Sequence, residues 1–147
     1  MELKGRTCTL HPFAADGIAL GGKIDFDKVA QSLYSAIEDE LGAAGLGVKL
    51  AGPGDADAEI VITGRFVHAT AGSRWKRYLV PFLPGAAAIV EVEGTVVDRD
   101  IPLDEFHALG KRGLGPLGGS SPAMIASAAE TAGRQAARQA IAILVGS

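Results

Sequence analysis

The chain has 147 residues, a length that suits one ordinary domain, numbered 1–147, with a hydrophobic core of its own. Apolar residues make up 48% and charged residues 21%, which excludes a disordered chain, and the net charge of −3 provides no global positive field for nucleic acid. The single cysteine, Cys8, excludes an internal disulfide and a multi-cysteine metal site. It lies in an apolar run, so we expect a small buried side chain rather than a reactive thiol.

The first half of the chain predicts strand, loop and helix in that order. Residues 6–13 suit a first strand that ends at a proline, and the glycine- and alanine-rich residues 14–23 indicate a loop. The following segment has the four-residue spacing of an amphipathic helix that lies on a core and ends at Gly42 or Gly45. The apolar stripe of this helix consists of Val29, Leu33, Ile37 and Leu41.

The middle of the chain predicts strands. Residues 48–50 suit a short strand, residues 58–70 a long strand rich in β-branched side chains, and residues 86–98 its partner. Residues 103–110 add a further strand. The partner strand alternates between apolar and polar positions, which indicates a sheet with one face on the core and one in water. Its inward positions are Val90, Val92, Gly94 and Val96, and its outward positions are Glu91, Glu93 and Thr95.

A final helix begins at Ser121, which caps it, with Pro122 at its first position. The element order β-α-β-β-β-(β)-α predicts an α+β fold, a mainly antiparallel sheet of four to five strands with two helices packed on one face. The apolar stripe of the final helix consists of Ile125, Ala129, Ala132, Ala136, Ile143 and Leu144.

Two glycine patterns partly match phosphate-binding motifs. Residues 17–24 satisfy GxxxxGK, but Ile24 stands where a P-loop needs the hydroxyl that holds magnesium. Residues 113–118 satisfy GxGxxG, but the chain ends after the next helix, without the second strand of a dinucleotide-binding unit. Both patterns are therefore interpreted as connections, and no cofactor is expected.

The titratable residues do not form a pattern typical of catalysis. The spacing of His11, His68 and His107 is not that of metal ligands, so we expect no metal. Glu91 and Glu93 point the same way along a strand and resemble an acid pair, but a solvated surface explains them better. We predict a protein that is not an enzyme.

The most distinctive segment is residues 72–85, a long connection between two predicted strands, and long loops are often functional. Its aromatic rings can stack on a ligand or lie at a membrane interface beside its cations. Alternatively, the rings close one end of the core while the cations stay in water. The candidate binding residues are Arg74, Trp75, Lys76, Arg77 and Tyr78.

A second candidate site lies in the glycine-rich residues 111–121. Its two cations, its loop amides and the N-terminus of the final helix could together hold a small anion or a nucleotide. The residues concerned are Lys111, Arg112, Gly113, Gly115, Gly118, Gly119 and Ser120.

Several short motifs resemble a known family. Residues 56–66, then 72–74, then 85–97, together with Pro12-Phe13 and the loop at Gly118, resemble the bacterial domain-of-unknown-function family 4410. Most members of that family are predicted envelope lipoproteins, and the family has no catalytic residues to carry over. The resemblance implies an accessory module of the cell envelope or periplasm.

The sequence therefore favours a non-catalytic bacterial domain that binds through residues 72–85. The expected partner is a protein, another envelope component or an anionic membrane surface rather than nucleic acid, and a sheet edge could add a partner strand. Residues 1–5 lack the apolar core of a signal peptide, and the longest uncharged apolar run, 79–90, is too short to span a bilayer. A cytoplasmic location therefore stays open beside the envelope.

Overall fold

The computed structural model describes residues 3–15, 19–21, 26–52, 54–70, 88–112 and 121–146. Within these residues the chain forms six strands and two helices. In chain order they are β1 (Thr7–Leu10), β2 (Ala19–Gly21), α1 (Phe26–Ala43), β3 (Gly47–Leu50), β4 (Ile60–Thr70), β5 (Ala88–Asp98), β6 (Ile101–Arg112) and α2 (Ser121–Val145). Strand β2 lies in the segment 14–23, so the prediction of a loop there is wrong at those three residues.

The strands form one mixed sheet in the order β3-β1-β4-β5-β6, with β2 beside the end of β4. The pairs β4-β5 and β5-β6 are antiparallel, whereas β1 runs parallel to both β3 and β4. The parallel pairs arise because α1 crosses over between β1 and β3 and returns the chain to the end of the sheet where β1 begins. The predicted α+β fold with a mainly antiparallel sheet is confirmed.

Both helices cover the same face of the sheet. All four residues of the predicted α1 stripe are buried, as are five of the six in the α2 stripe, Ile143 being partly buried. Helix α2 approaches β6 closely through the alanines of α2 and Gly110 of β6. A Cβ added at Gly110 would lie only 1.7 Å from the carbonyl oxygen of Ala128. The opposite face of the sheet carries the polar positions of β4, β5 and β6.

Helix α1 continues past Gly42 and ends through Gly45. Gly45 adopts a φ of +98°, and the amide of Leu46 donates a hydrogen bond of 3.1 Å to the carbonyl of Leu41. This six-to-one bond is typical of a helix C-terminus closed by a left-handed glycine. Of the two glycines that the sequence offers, Gly45 therefore terminates the helix.

Arg6 joins three strands at the end of the sheet where β4 begins. Its Nε lies 2.6 Å from Glu59 Oε1 and its Nη2 lies 2.6 Å from Asp98 Oδ1, and its side chain is 13% exposed. Arg99 adds a longer contact of 3.3 Å to Glu59. The hydrogen bond from Arg6, with Arg99 beside it, holds the pKa of the Glu59 carboxyl below its ordinary value.

Candidate functional site

The two segments that the sequence singles out leave the sheet at the same end. Thr70, the last residue of β4, is opposite Ile89 of β5, and Ala88 is opposite Arg112, the last residue of β6. Segments 71–87 and 113–120 are therefore attached to neighbouring strands at one end of the sheet. These segments lie outside the described residues, and so do candidate residues 74–78 and the loop amides of the second site.

Both helices also begin at this end. Gly133 of α2 contacts Leu33 and Ala36 of α1, and Arg138 lies 3.6 Å from Glu40, so the helices run parallel. Helix α2 runs antiparallel to β6, which places its N-terminus near the last residues of that strand. The N-terminus of a helix carries a partial positive charge, which Asp27 in the first turn of α1 offsets in part and which no acidic residue offsets in the first turn of α2.

The sequence of this end is strongly cationic. Segments 71–87 and 111–120 contain five of the fourteen lysines and arginines of the chain and no acidic residue. Lys111, the described residue among these five whose side chain is placed, is exposed. We call this region the cationic end, defined by Arg74, Lys76, Arg77, Lys111 and Arg112 and by the N-termini of α1 and α2.

Two carboxylates that resemble an acid pair, those of Glu91 and Glu93, lie on the open face of the sheet. Each of them contacts a basic side chain of a neighbouring strand. Glu93 lies opposite Arg65 in the register, and the Arg65 Nε lies 2.5 Å from Glu93 Oε1. Glu91 accepts a contact from the imidazole of His107 on β6. The face forms an open depression of about 860 Å³, and the side chains of Glu91 and Glu93 are 28% and 41% exposed. Each carboxylate thus has its own partner on a solvated surface.

The remaining histidines lie close to acidic residues, and the cysteine is buried. His11 lies 2.7 Å from Asp57, and His68 is opposite Glu91 in the register. No group of histidine, cysteine or acidic side chains in the described ranges is suited to a metal ion. Cys8 is 1% exposed, and burial raises the pKa of its thiol to about 12, so the expected buried side chain is confirmed.

The two glycine patterns do not have the surroundings that phosphate motifs require. In residues 17–24 the central residues form β2, which pairs with β4, instead of a loop that wraps a phosphate. In residues 113–118 the preceding strand is β6, which pairs antiparallel with β5, whereas a dinucleotide unit requires parallel strands.

The edge of the sheet at β6 is already covered by side chains. Gln139 of α2 accepts a hydrogen bond of 3.0 Å from the amide of His107 and donates one of 2.6 Å to its carbonyl. Gln135 accepts one of 3.2 Å from the amide of Leu109, and Asp104 accepts one of 2.8 Å from the amide of Glu105. Two glutamines one helical turn apart, at positions 135 and 139, are the sequence signal for this contact. A partner strand cannot pair here without displacing them.

Comparisons with known proteins agree with the fold. No family model matches the chain, and the search of curated proteins gives no significant match. A solved structure of PelC from Paraburkholderia phytofirmans, a dodecamer, has a TM-score of 0.52 and 14% identity over 95% of this chain and 88% of that chain. A Xanthomonas campestris protein of the DUF330 family has a TM-score of 0.54 and 13% identity over 98% of this chain and 88% of that chain.

A hypothetical protein from Chlamydia trachomatis is similar at a TM-score of 0.52 and 10% identity, over 96% of each chain. At these identities the likeness establishes the fold alone. The chain therefore has an α+β fold found in bacterial proteins, one of them a member of a family of unknown function. The specific resemblance to family 4410 stays a prediction. In the described residues, neither helix combines the length and apolarity needed to cross a membrane.

Proposed function

We propose that the chain is a non-catalytic accessory domain of the bacterial envelope that binds an anionic macromolecular partner or membrane surface through its cationic end. One observation carries the proposal: segment 71–87 and Lys111-Arg112 are attached to neighbouring strands at the end where both helices begin. The segments that carry these five cations are attached to the sheet at the end where both helices begin, so we expect a local field opposite in sign to the net charge of −3.

The chemistry of segment 72–85 fits such a partner. Each lysine or arginine near an anionic surface contributes on the order of 1 kcal/mol, and salt weakens the attraction. Trp75 and Tyr78 have an apolar ring with a polar tip, which suits the boundary between water and lipid or a protein surface. The resemblance to family 4410, most of whose members are predicted envelope lipoproteins, supports the envelope as the location. The contacts of Glu91 with His107 and of Glu93 with Arg65, on an open face, support a non-catalytic role.

The test measures flotation with vesicles of phosphatidylcholine alone and with added phosphatidylserine. We expect binding to the anionic vesicles only, and loss of that binding at high salt and in the variant Arg74→Ser/Lys76→Ser/Arg77→Ser. The control variant replaces the exposed cations Lys49, Arg134 and Arg138 with serine, which changes the net charge equally. Equal loss in both variants would show that net charge alone matters and would contradict the proposal.

Trp75→Ala distinguishes a binding role of the segment from a structural one. Removal of a tryptophan from a packed core costs about 3–5 kcal/mol of unfolding free energy, whereas removal from a surface costs little. We expect weaker vesicle binding with little change in the unfolding free energy. Marked destabilisation, with binding unaffected by the triple serine change, would assign the segment to the core. Fractionation of cells that express the native full-length product tests the envelope location, and a wholly cytosolic product would contradict it.

A small-anion or nucleotide site is the second candidate. Strand β6 ends with Lys111 and Arg112, and eight residues later α2 begins at Ser121, so two cations and a helix N-terminus flank the glycine-rich loop. Inorganic phosphate or a nucleotide should then raise the melting temperature, as any ligand of the native state does. Lys111→Ala should reduce that rise. A melting temperature that millimolar phosphate and nucleotides leave unchanged would count against this site.

A further inference from the structure

An apolar groove lies at the opposite end of the sheet, between the start of β6 and the last turns of α2. It has a volume of about 560 Å³, and Pro102, Leu103 and Ile143 contribute to its lining. Two apolar residues beside the groove are exposed to solvent: Ile101 is 63% exposed and Val145 is 49% exposed. Apolar side chains grouped in this way at a surface are typical of a contact with another molecule.

The rim of the groove is negatively charged. Asp104 contributes to the groove lining, and Asp100, two residues before Pro102, is exposed. Helix α2 ends here, and its last turn has no basic residue to offset the partial negative charge of its carbonyls. We call this surface the acidic groove, and its surroundings favour a cationic ligand with apolar side chains.

We infer that the acidic groove binds the cationic end of a second copy of this chain, so that copies join head to tail. The two surfaces are complementary. Residues 74–82 combine three cations, which suit the acidic rim, with four large apolar or aromatic groups, which suit the apolar lining. The inference rests on the proposed function, because it names a second copy as one anionic partner of the cationic end.

The described residues of the two surfaces lie far apart within one copy. Ile101 and Lys111 lie near opposite ends of β6, ten residues apart, which in an extended strand corresponds to about 30 Å. The contact is therefore heterologous: two different surfaces meet, and each copy keeps one surface free for the next. Pairing through the β6 edge does not compete with this contact, because Gln135 and Gln139 occupy that edge.

Sedimentation velocity over a range of protein concentrations tests the inference. The wild type should self-associate at low ionic strength and dissociate at high ionic strength. Variant one, Asp100→Lys/Asp104→Lys, reverses the charge of the acidic groove. Variant two, Arg74→Glu/Lys76→Glu/Arg77→Glu, reverses the charge of the cationic end. Each alone should be monomeric, with self-association weakened at least tenfold. A mixture of the two restores one native pair of surfaces and also sets the two reversed surfaces against each other with opposite charges, so the mixture should associate again.

Two control variants distinguish an effect of the acidic groove on self-association from effects of net charge and of misfolding. Asp39→Lys/Glu130→Lys has the same change of net charge on the helices and should associate as the wild type does. Ile101→Ser removes an exposed apolar side chain with no expected loss of fold and should also weaken association. Three results would overturn the inference: a wild type that stays monomeric, association that variant one leaves unchanged, or a mixture of the two variants that does not associate.

The same variants distinguish this inference from the proposed function. Variant one keeps the cationic end, so it should still float with anionic vesicles. Flotation without self-association of the wild type would reject the second copy as a partner and leave the proposed function in place. If the wild type does not float with anionic vesicles, the anionic membrane surface is rejected as a partner.

Discussion

Gly64 of β4 lies directly opposite Gly94 of β5, and an aromatic ring covers each glycine on the helix side of the sheet. A Cβ added at Gly64 would be 2.8 Å from Phe13 Cζ, and one added at Gly94 would be 2.4 Å from Phe106 Cζ. The two phenylalanine rings, with centroids 6.3 Å apart, thus fill the space that two larger side chains would otherwise occupy. This pair links the register of the hairpin to the aromatic core.

The first prediction concerns this pair. Gly94→Ala should lower the free energy of unfolding by about 1–3 kcal/mol or more, because the methyl group would overlap the Thr63 carbonyl and the Phe106 ring. The measurement is urea unfolding followed by circular dichroism. Gly42→Ala is the matched control: Gly42 is an exposed helical position with no atom within 4 Å of an added Cβ, so alanine should stabilise by about 0.5–1 kcal/mol. Equal effects at both positions would contradict the close packing.

The second prediction concerns acid stability. The folded pKa of Glu59 lies below its ordinary value of 4.5, chiefly through the hydrogen bond from Arg6. The ionised carboxylate therefore stabilises the fold above pH 4.5, and this contribution is lost as the pH falls through the folded pKa. The midpoint of urea unfolding should fall as the pH is lowered from 6 to 3, and Glu59→Gln should reduce that fall. Glu105→Gln, an exposed control, should leave the slope unchanged.

The third prediction concerns the thiol. Cys8 is 1% exposed and burial raises its pKa to about 12, so native protein should not react with DTNB at pH 8. The thiol should react fully in urea, and its slow native reaction should follow the rate of unfolding. Rapid labelling of native protein would show that β1 separates from its neighbours without global unfolding.

The fourth prediction concerns the covered edge of β6. Gln139→Ala should speed hydrogen exchange at the amide of His107, and Gln135→Ala should do so at Leu109, because each amide loses its acceptor. Each variant serves as the control for the other, and each should cost about 1 kcal/mol of unfolding free energy. Exchange rates that neither change alters would mean that the glutamines do not protect the edge in solution.

Local patterns were sufficient to predict the elements with regular periodicity. The four-residue spacing from Val29 to Leu41 predicts α1, and the alternation from Val90 to Val96 predicts β5, because each pattern depends on one element alone. Strand β2 was missed because its three residues, including Gly21, are too few to show a period. The direction of β1 was not foreseen either, since an apolar strand can pair in parallel or antiparallel orientation.

The candidate surfaces depended even more on non-local geometry. The sequence singles out segments 72–85 and 111–121 separately, and their common end follows only from the register of Thr70, Ala88 and Arg112. The acidic groove combines residues near 102 with residues near 143, about forty positions later. No pattern along the chain joins these positions, so the structure was needed to find the groove.

The position of β1 inside the sheet has a consequence for synthesis. Residues 7–10 are synthesised before both of their partner strands, since they pair with Gly47–Leu50 on one side and with Ile60 to Ile62 on the other. At roughly 5–20 residues per second, about 3–10 s separate Leu10 from Ile62 on the ribosome. Cys8 and Leu10 have no partner strand until Gly47–Leu50 is made, and they have strands on both sides only after Ile60 to Ile62 follow. The nascent chain therefore presents an apolar segment that a chaperone could hold before the fold can close around it.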